Sequence, residues 1–150
     1  MTNDERMTKP EVQTYPAIRS DRDNAEPWVV REEPNKDRVY DLEERTARFG
    51  EAIIDLAKKI PVSPVTERII SQLVGAGTSV GANYAEADDA VSKKEFMKNI
   101  GTCKKEARET KHHLRMAVRA VPELKPAAGK LWLEAKELHL IFSKIWRNKQ

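Results

Sequence analysis

From Arg38 onward, apolar side chains recur at alternating spacings of three and four, the pattern of a helix that buries one stripe. Leu42, Thr46, Phe49, Ile53, Leu56 and Ile60 form a first stripe, and Pro61 ends it because proline has no N–H for the helical ladder. Ser63 and Pro64 then offer an N-cap and a preorganised first position for a second helix. Its stripe is Ile69, Leu73, Ala76, Val80, Asn83 and Ala87, and a second row, Ile70, Val74, Gly77, Gly81 and Tyr84, runs beside it. Two adjacent rows predict a helix covered on two sides. A third helix opens at Ser92, where Ser92-Lys93-Lys94-Glu95 has the spacing of a capping box. Its stripe runs through Phe96, Ile100, Cys103, Ala107, Thr110, Leu114, Ala117 and Val121. Pro122 and Pro126 separate it from a fourth helix carrying Leu131, Ala135, Leu138, Phe142 and Ile145. No segment alternates with the strand period between turn residues. Long amphipathic helices with short connections pack as antiparallel neighbours, which predicts an all-α fold: an up-down-up-down four-helix bundle over residues 38–150.

Residues 1–37 break the pattern. They hold four of the eight prolines, with nine acidic and six basic residues, and no apolar period, which predicts a disordered N-terminal arm. The triplet Trp28-Val29-Val30 within it either lies free or docks on the bundle. Over all 150 residues, 27 basic and 24 acidic side chains leave a net charge of +3, so the chain as a whole declares no polyanion binder. The longest charge-free run, Ile69 to Ala85, is too short and too polar to span a bilayer, and the N-terminus lacks the apolar core of a secretion signal. A single cysteine, Cys103, excludes an internal disulfide. Together these features point to the cytoplasm.

Candidate chemistry is sparse. The glycines of Gly75-Ala76-Gly77-Thr78-Ser79-Val80-Gly81 lack both the Lys-Ser/Thr ending and the preceding strand of a phosphate loop. Gly77 and Gly81 instead lie four apart on one helix face. Each costs about 1 kcal/mol of helix propensity, which close approach of another backbone must offset. That backbone belongs to another helix of the bundle or to another subunit. Asn83 lies on the core stripe, where it is expected to be buried and hydrogen-bonded beside Leu42 and Phe96. A di-iron bundle needs two Glu-x-x-His pairs aimed inward; this chain has one, Glu109 to His112, and His112 points away from the stripe. His113 and His139 read as surface or boundary residues, and Cys103 as a small buried apolar group. No catalytic residue, metal or cofactor is implied, and the chain is expected not to be an enzyme.

The charge on the third helix is more informative. Nine basic and three acidic residues lie between Ser92 and Val121, a local excess of six. On a helical wheel the bases, among them Lys104, Lys105, Arg108, Lys111, Arg115 and Arg119, fill one arc, and Glu95, Glu106 and Glu109 fill the adjoining one. Segregation by sign suits a surface facing RNA or DNA. The same arc also suits a face neutralised by the acidic end of the second helix or by the N-terminal arm, and a protein–protein scaffold with an acidic partner.

The segment Ser79-Val80-Gly81-Ala82-Asn83-Tyr84-Ala85-Glu86, followed by Ser92-Lys93-Lys94-Glu95-Phe96, resembles the bacterial four-helix-bundle proteins known as 23S rRNA intervening-sequence proteins. In them a Ser-x-x-x-Asn-x-Ala-Glu segment leads into Ser-x-x-Glu-Phe. The likeness spans roughly Val39 to Phe142. Many relatives carry arginine where Val74 and Gly75 stand, and glycine where Ala87 stands, so a nucleic-acid contact made by those arginines does not transfer to this chain. The resemblance implies a homopentamer, and the two adjacent rows of the second helix, of which one bundle core is expected to cover only one fully, also point to an oligomer. Gly77, Gly81, Asn83 and Glu86 are the structural or oligomer-forming candidates. A more distant similarity to the accessory variability determinant of diversity-generating retroelements implies a reverse transcriptase as a partner. The combined expectation is a non-enzymatic, oligomeric nucleic-acid-binding accessory protein.

Overall fold

The computed structural model describes residues 41–149. Helix α1 runs Leu42–Ala57, α2 Thr66–Asp88, α3 Lys93–Ala120 and α4 Lys125–Lys149, with one 3-10 turn, Pro122–Leu124, before α4. The expected N-terminal arm and its Trp28 triplet lie outside the described residues. Among the described residues there is no strand, and the chain is all-α, as the periodicity predicts. Each helix packs along the next, and α1 meets α4 over a thinner seam that closes the bundle. No described helix is long and apolar enough to cross a membrane.

Local chemistry sets the helix ends. The Asp41 carboxylate accepts the Glu44 N–H at 3.2 Å and starts α1. Regular helix in α2 begins at Thr66, but the cap is Ser63: its hydroxyl accepts from the Thr66 N–H at 3.1 Å and its carbonyl from the Glu67 N–H at 2.9 Å. Ser92 is extended (φ −145°) and accepts from the Glu95 N–H, while the Glu95 carboxylate reaches back to the Val91 N–H at 3.3 Å. Helix α3 stops at Ala120, because Val121 precedes a proline and is pushed out of helical geometry.

The predicted stripes meet in one core. All six positions of the first stripe are buried, and Leu73, Val80, Ile100, Cys103, Ala107, Leu114, Leu138 and Phe142 pack with them. Burying a side chain of this size stabilises by about 1.5–3 kcal/mol. Thr46 and Thr110 are buried polar members of their stripes. Each hydroxyl donates at 2.7 Å to a carbonyl of its own helix, Leu42 and Glu106 respectively, so neither is left unsatisfied. Cys103 is buried and its thiol donates to the Val80 carbonyl at 3.5 Å. Burial pushes that thiol up to about 12.

The second row of α2 is covered from within the chain. A Cβ placed on Gly77 would lie 2.7 Å from Cγ1 of Ile53, and one on Gly81 would lie 3.2 Å from the Thr46 hydroxyl. On the other side of the seam a Cβ on Gly50 would lie 3.5 Å from the Thr78 Cα. The backbone that approaches Gly77 and Gly81 is therefore α1, and the paired rows need no second subunit to explain them. Tyr84, at the end of the same row, reaches across the bundle to Phe142, with ring centroids 6.0 Å apart.

Asn83 is hydrogen-bonded as expected but less buried than its spacing predicts. It is half-buried, and its amide donates to the Ser79 carbonyl of its own helix at 2.8 Å rather than to a neighbouring helix. Three residues beyond Val80, it stands about 60° round the helix, at the edge of the buried arc. There the amide can turn back onto its own backbone. Glu86 is exposed.

The α1–α4 seam holds an ion pair that periodicity does not reveal. Arg45 Nε donates to Glu134 Oε2 at 2.7 Å and Nη2 to Oε1 at 2.8 Å, and Nη2 also reaches Glu137 Oε1 at 2.8 Å. Glu134 is 1% exposed and Arg45 17%. Burial by itself lowers the Arg45 pKa, but the hydrogen bonds and charges of Glu134 and Glu137 outweigh it and raise it. A signal existed: Glu134 is three residues after Leu131 and four before Leu138, a carboxylate at core spacing.

Candidate nucleic-acid interface

A groove of about 670 Å³ runs between α3 and α4. Helix α3 supplies Gly101, Lys104, Lys105, Arg108, Glu109 and His112; α4 supplies His139 and Trp146. The α3 residues recur at threes and fours, so they form one strip facing α4. Opposite them, His139 and Trp146 are seven residues apart, two turns along one face of α4.

The six basic residues singled out by the charge pattern divide. Lys104, Lys105 and Arg108 line the groove. Lys111 turns instead to Trp132, its Nζ 5.2 Å from the ring centroid, and Lys136 approaches the same ring at 5.8 Å. Burial lowers the Lys111 pKa, and the charges of Lys136 and Arg108 lower it further. Arg115 is half-buried, and its Nε is buried without a hydrogen-bond partner among the described residues. Arg119 is exposed on the last turn of α3.

None of these six makes a salt bridge among the described residues. Among the described residues Glu109 is the one carboxylate on the groove wall. The imbalance is felt by His139: burial lowers its pKa, and the charges of Lys111, Lys104 and Arg108 lower it further. His113, behind the groove, is also lowered, by burial and by His112, whose ring centroid is 5.4 Å away. The groove therefore carries an excess of positive charge, which together with burial holds the His139 imidazole on its wall below the usual histidine range. Among the described residues no group of three or more His, Cys, Asp or Glu could hold a metal ion.

Two lining residues escaped the charge pattern. The basic arc of α3 carries no aromatic of its own, but the fold brings Trp146 of α4 against it. A Cβ on Gly101 would lie 3.2 Å from the indole Cζ3, so this mid-helix glycine makes room for the ring. Neither was legible beforehand, because Trp146 is 38 positions after Arg108 and only the α3–α4 pairing brings the two into one groove.

Comparison with known proteins places this geometry in a family. No curated protein matches the chain. The bundle is similar to the crystal structure of a protein with unknown function from the S23 ribosomal protein family of Bacteroides thetaiotaomicron VPI-5482, with 25% identity and a TM-score of 0.61. The match covers 70% of this chain and 97% of that one. The family model described as 23S rRNA-intervening sequence protein matches residues 39–139, which take in α1, α2, α3 and more than half of α4. The chain belongs to the 23S rRNA-intervening sequence protein family.

Proposed function

We propose that this protein is a non-enzymatic nucleic-acid-binding accessory protein that holds a phosphate backbone in the α3–α4 groove. The observation that carries the reading is the cluster of Lys104, Lys105 and Arg108 on one wall, without salt bridges among the described residues and sensed by His139 across the groove. Cations left unpaired in a concave surface favour a polyanion and release its counterions on binding. The family's description, which names 23S rRNA, fits such a ligand. A homo-oligomer, a pentamer by family resemblance, would repeat the groove and turn weak contacts into avidity wherever one polymer reaches several copies.

Salt-dependent binding of a labelled RNA tests the reading. Three phosphate contacts per groove predict a slope of log K against log salt of about −2 for a single strand. Reversing Lys104, Lys105 and Arg108 to Glu should abolish binding with the helical circular-dichroism signal intact. Lys111 is left unchanged in that variant because it packs over Trp132. Equal RNA retention by reversed and native proteins at low salt would refute the reading and favour a protein–protein scaffold.

A further inference from the structure

We infer that the α3–α4 groove takes a single-stranded nucleic acid, with phosphates on Lys104, Lys105 and Arg108 and an unpaired base stacked on the Trp146 indole. This rests on the proposed function and specifies its ligand. Four observations carry it.

Trp146 shares the groove with the three cations and is half-buried, so part of the ring is open to a ligand. The second tryptophan near the basic face, Trp132, has the ammonium groups of Lys111 and Lys136 over its ring. Trp146 is thus the groove's own large aromatic surface. Gly101 holds that surface in place by absence: any larger side chain would press on the indole from α3. A glycine in mid-helix costs helix propensity, and the three atoms nearest to a Cβ at Gly101 all belong to the Trp146 ring, as those at Gly77 all belong to the Ile53 side chain.

The dimensions also fit. From Gly101 to His112 the strip is about 16 Å long at ~1.5 Å per residue, roughly the length of five stacked nucleotides at ~3.4 Å each. The groove's volume of about 670 Å³ lies within the usual range for sites that enclose a small molecule. It suits a base and its sugar, and is far too small to admit a duplex.

The form of the ligand follows from which surfaces it exposes. In a duplex the base faces are stacked on one another and only their edges are presented in the grooves. An indole that shares a groove with cations finds nothing to stack on there. An unpaired strand offers both phosphates and free base faces, and stacking on an aromatic tolerates any sequence. Trp146 lies beyond the residues matched by the family model, so this contact is argued for this chain and not for its relatives.

The test compares full-length protein binding to mixed-sequence single-stranded RNA, single-stranded DNA, the corresponding duplexes, and a strand of equal charge with abasic sites in place of bases. Native protein should prefer either single strand to its duplex, and a difference between RNA and DNA tells which sugar the groove favours. Trp146→Ala should weaken single-strand binding roughly 5- to 150-fold and so remove the preference for single strands over duplex, with Trp146→Phe restoring most of the loss. The abasic strand gives the same reading without any mutation: native protein should bind it about as weakly as Trp146→Ala binds the normal strand. Native protein that binds abasic and normal strands equally, or a Trp146→Ala variant that keeps its single-strand preference, would overturn the inference while leaving the proposed function standing. Failure of native protein to bind any of these polymers would overturn both.

Discussion

Two glycines of α2, two positions apart, should respond oppositely to the same substitution. A Cβ on Gly75 meets nothing within 4 Å, whereas one on Gly77 would sit 2.7 Å from Cγ1, 2.8 Å from Cγ2 and 3.0 Å from Cβ of Ile53. Both replacements gain the helix preference of alanine over glycine, about 0.5–1 kcal/mol. Only Gly77→Ala also overpacks the fully buried Ile53, whose Cβ is fixed to the α1 backbone and cannot swing aside, at about 1–3 kcal/mol. Gly75→Ala should therefore stabilise by up to about 1 kcal/mol, and Gly77→Ala should destabilise by up to about 2 kcal/mol. Because the propensity gain is common to both, their difference isolates the clash. Thermal or urea unfolding measures it, at one fixed protein concentration because self-association would make melting concentration-dependent. At about 4 °C per kcal/mol for a domain of this size, the two variants should melt about 4–12 °C apart. Ile53→Ala removes Cγ1 and Cγ2, so the cost of Gly77→Ala should fall by about 1 kcal/mol or more in that background. A Gly77→Ala protein that melts at or above Gly75→Ala, or shows no coupling to Ile53, would refute packing of Gly77 against α1.

Arg45→Ala should cost about 3 kcal/mol in urea unfolding because it takes the two-pronged guanidinium away from the buried Glu134, whereas Glu137→Ala should cost under about 1 kcal/mol since Glu137 is 47% exposed; equal losses would sink the assignment of the seam's strength to the Arg45–Glu134 pair. The Cys103 thiol, raised by burial from 9.0 to about 12, stays protonated in the fold while the unfolded chain ionises. Its contribution is intact below pH 9 and drains away between pH 9 and about 12, so melting of the native protein should fall more steeply over that window than melting of Cys103→Ala, and parallel curves would contradict it. His139 works in the opposite direction: a folded pKa lowered by burial and by Lys111, Lys104 and Arg108 favours the fold above pH 6.5 and is lost as pH falls below it. Lys104→Glu with Arg108→Glu should move the His139 NMR titration upward; an unmoved midpoint would mean burial alone sets it.

The sequence by itself determined four helices, the Ser63 and Ser92 caps and most of the face each helix buries. Those features follow from local rules: a 3.6-residue period, Ser92 with Glu95 three residues on, and Pro122, which cannot continue a helix. Pro61 and Pro126 depart from expectation, since α1 already ends at Ala57, short of Ile60 and Pro61, and Pro126 sits in the first turn of α4, where a missing N–H is tolerated. The charge segregation of α3 was legible for the same reason, since a wheel needs only one helix. Tertiary structure decided what each face meets. Gly77 and Gly81 read equally well as a contact within the bundle or between subunits, and the position of Ile53 and Thr46 resolves that choice in favour of α1. Asn83 carried the spacing of a core residue, yet a rotation of about 60° from Val80 leaves it at the rim, bonded to its own helix. Arg45 and Glu134 are 89 residues apart in sequence, and Trp146 is 38 residues beyond Arg108. No period within one helix relates such positions. Their pairing depends on the register and rotation at which α4 seats against α1 and α3, which is set by how the side chains of several helices fill a common core.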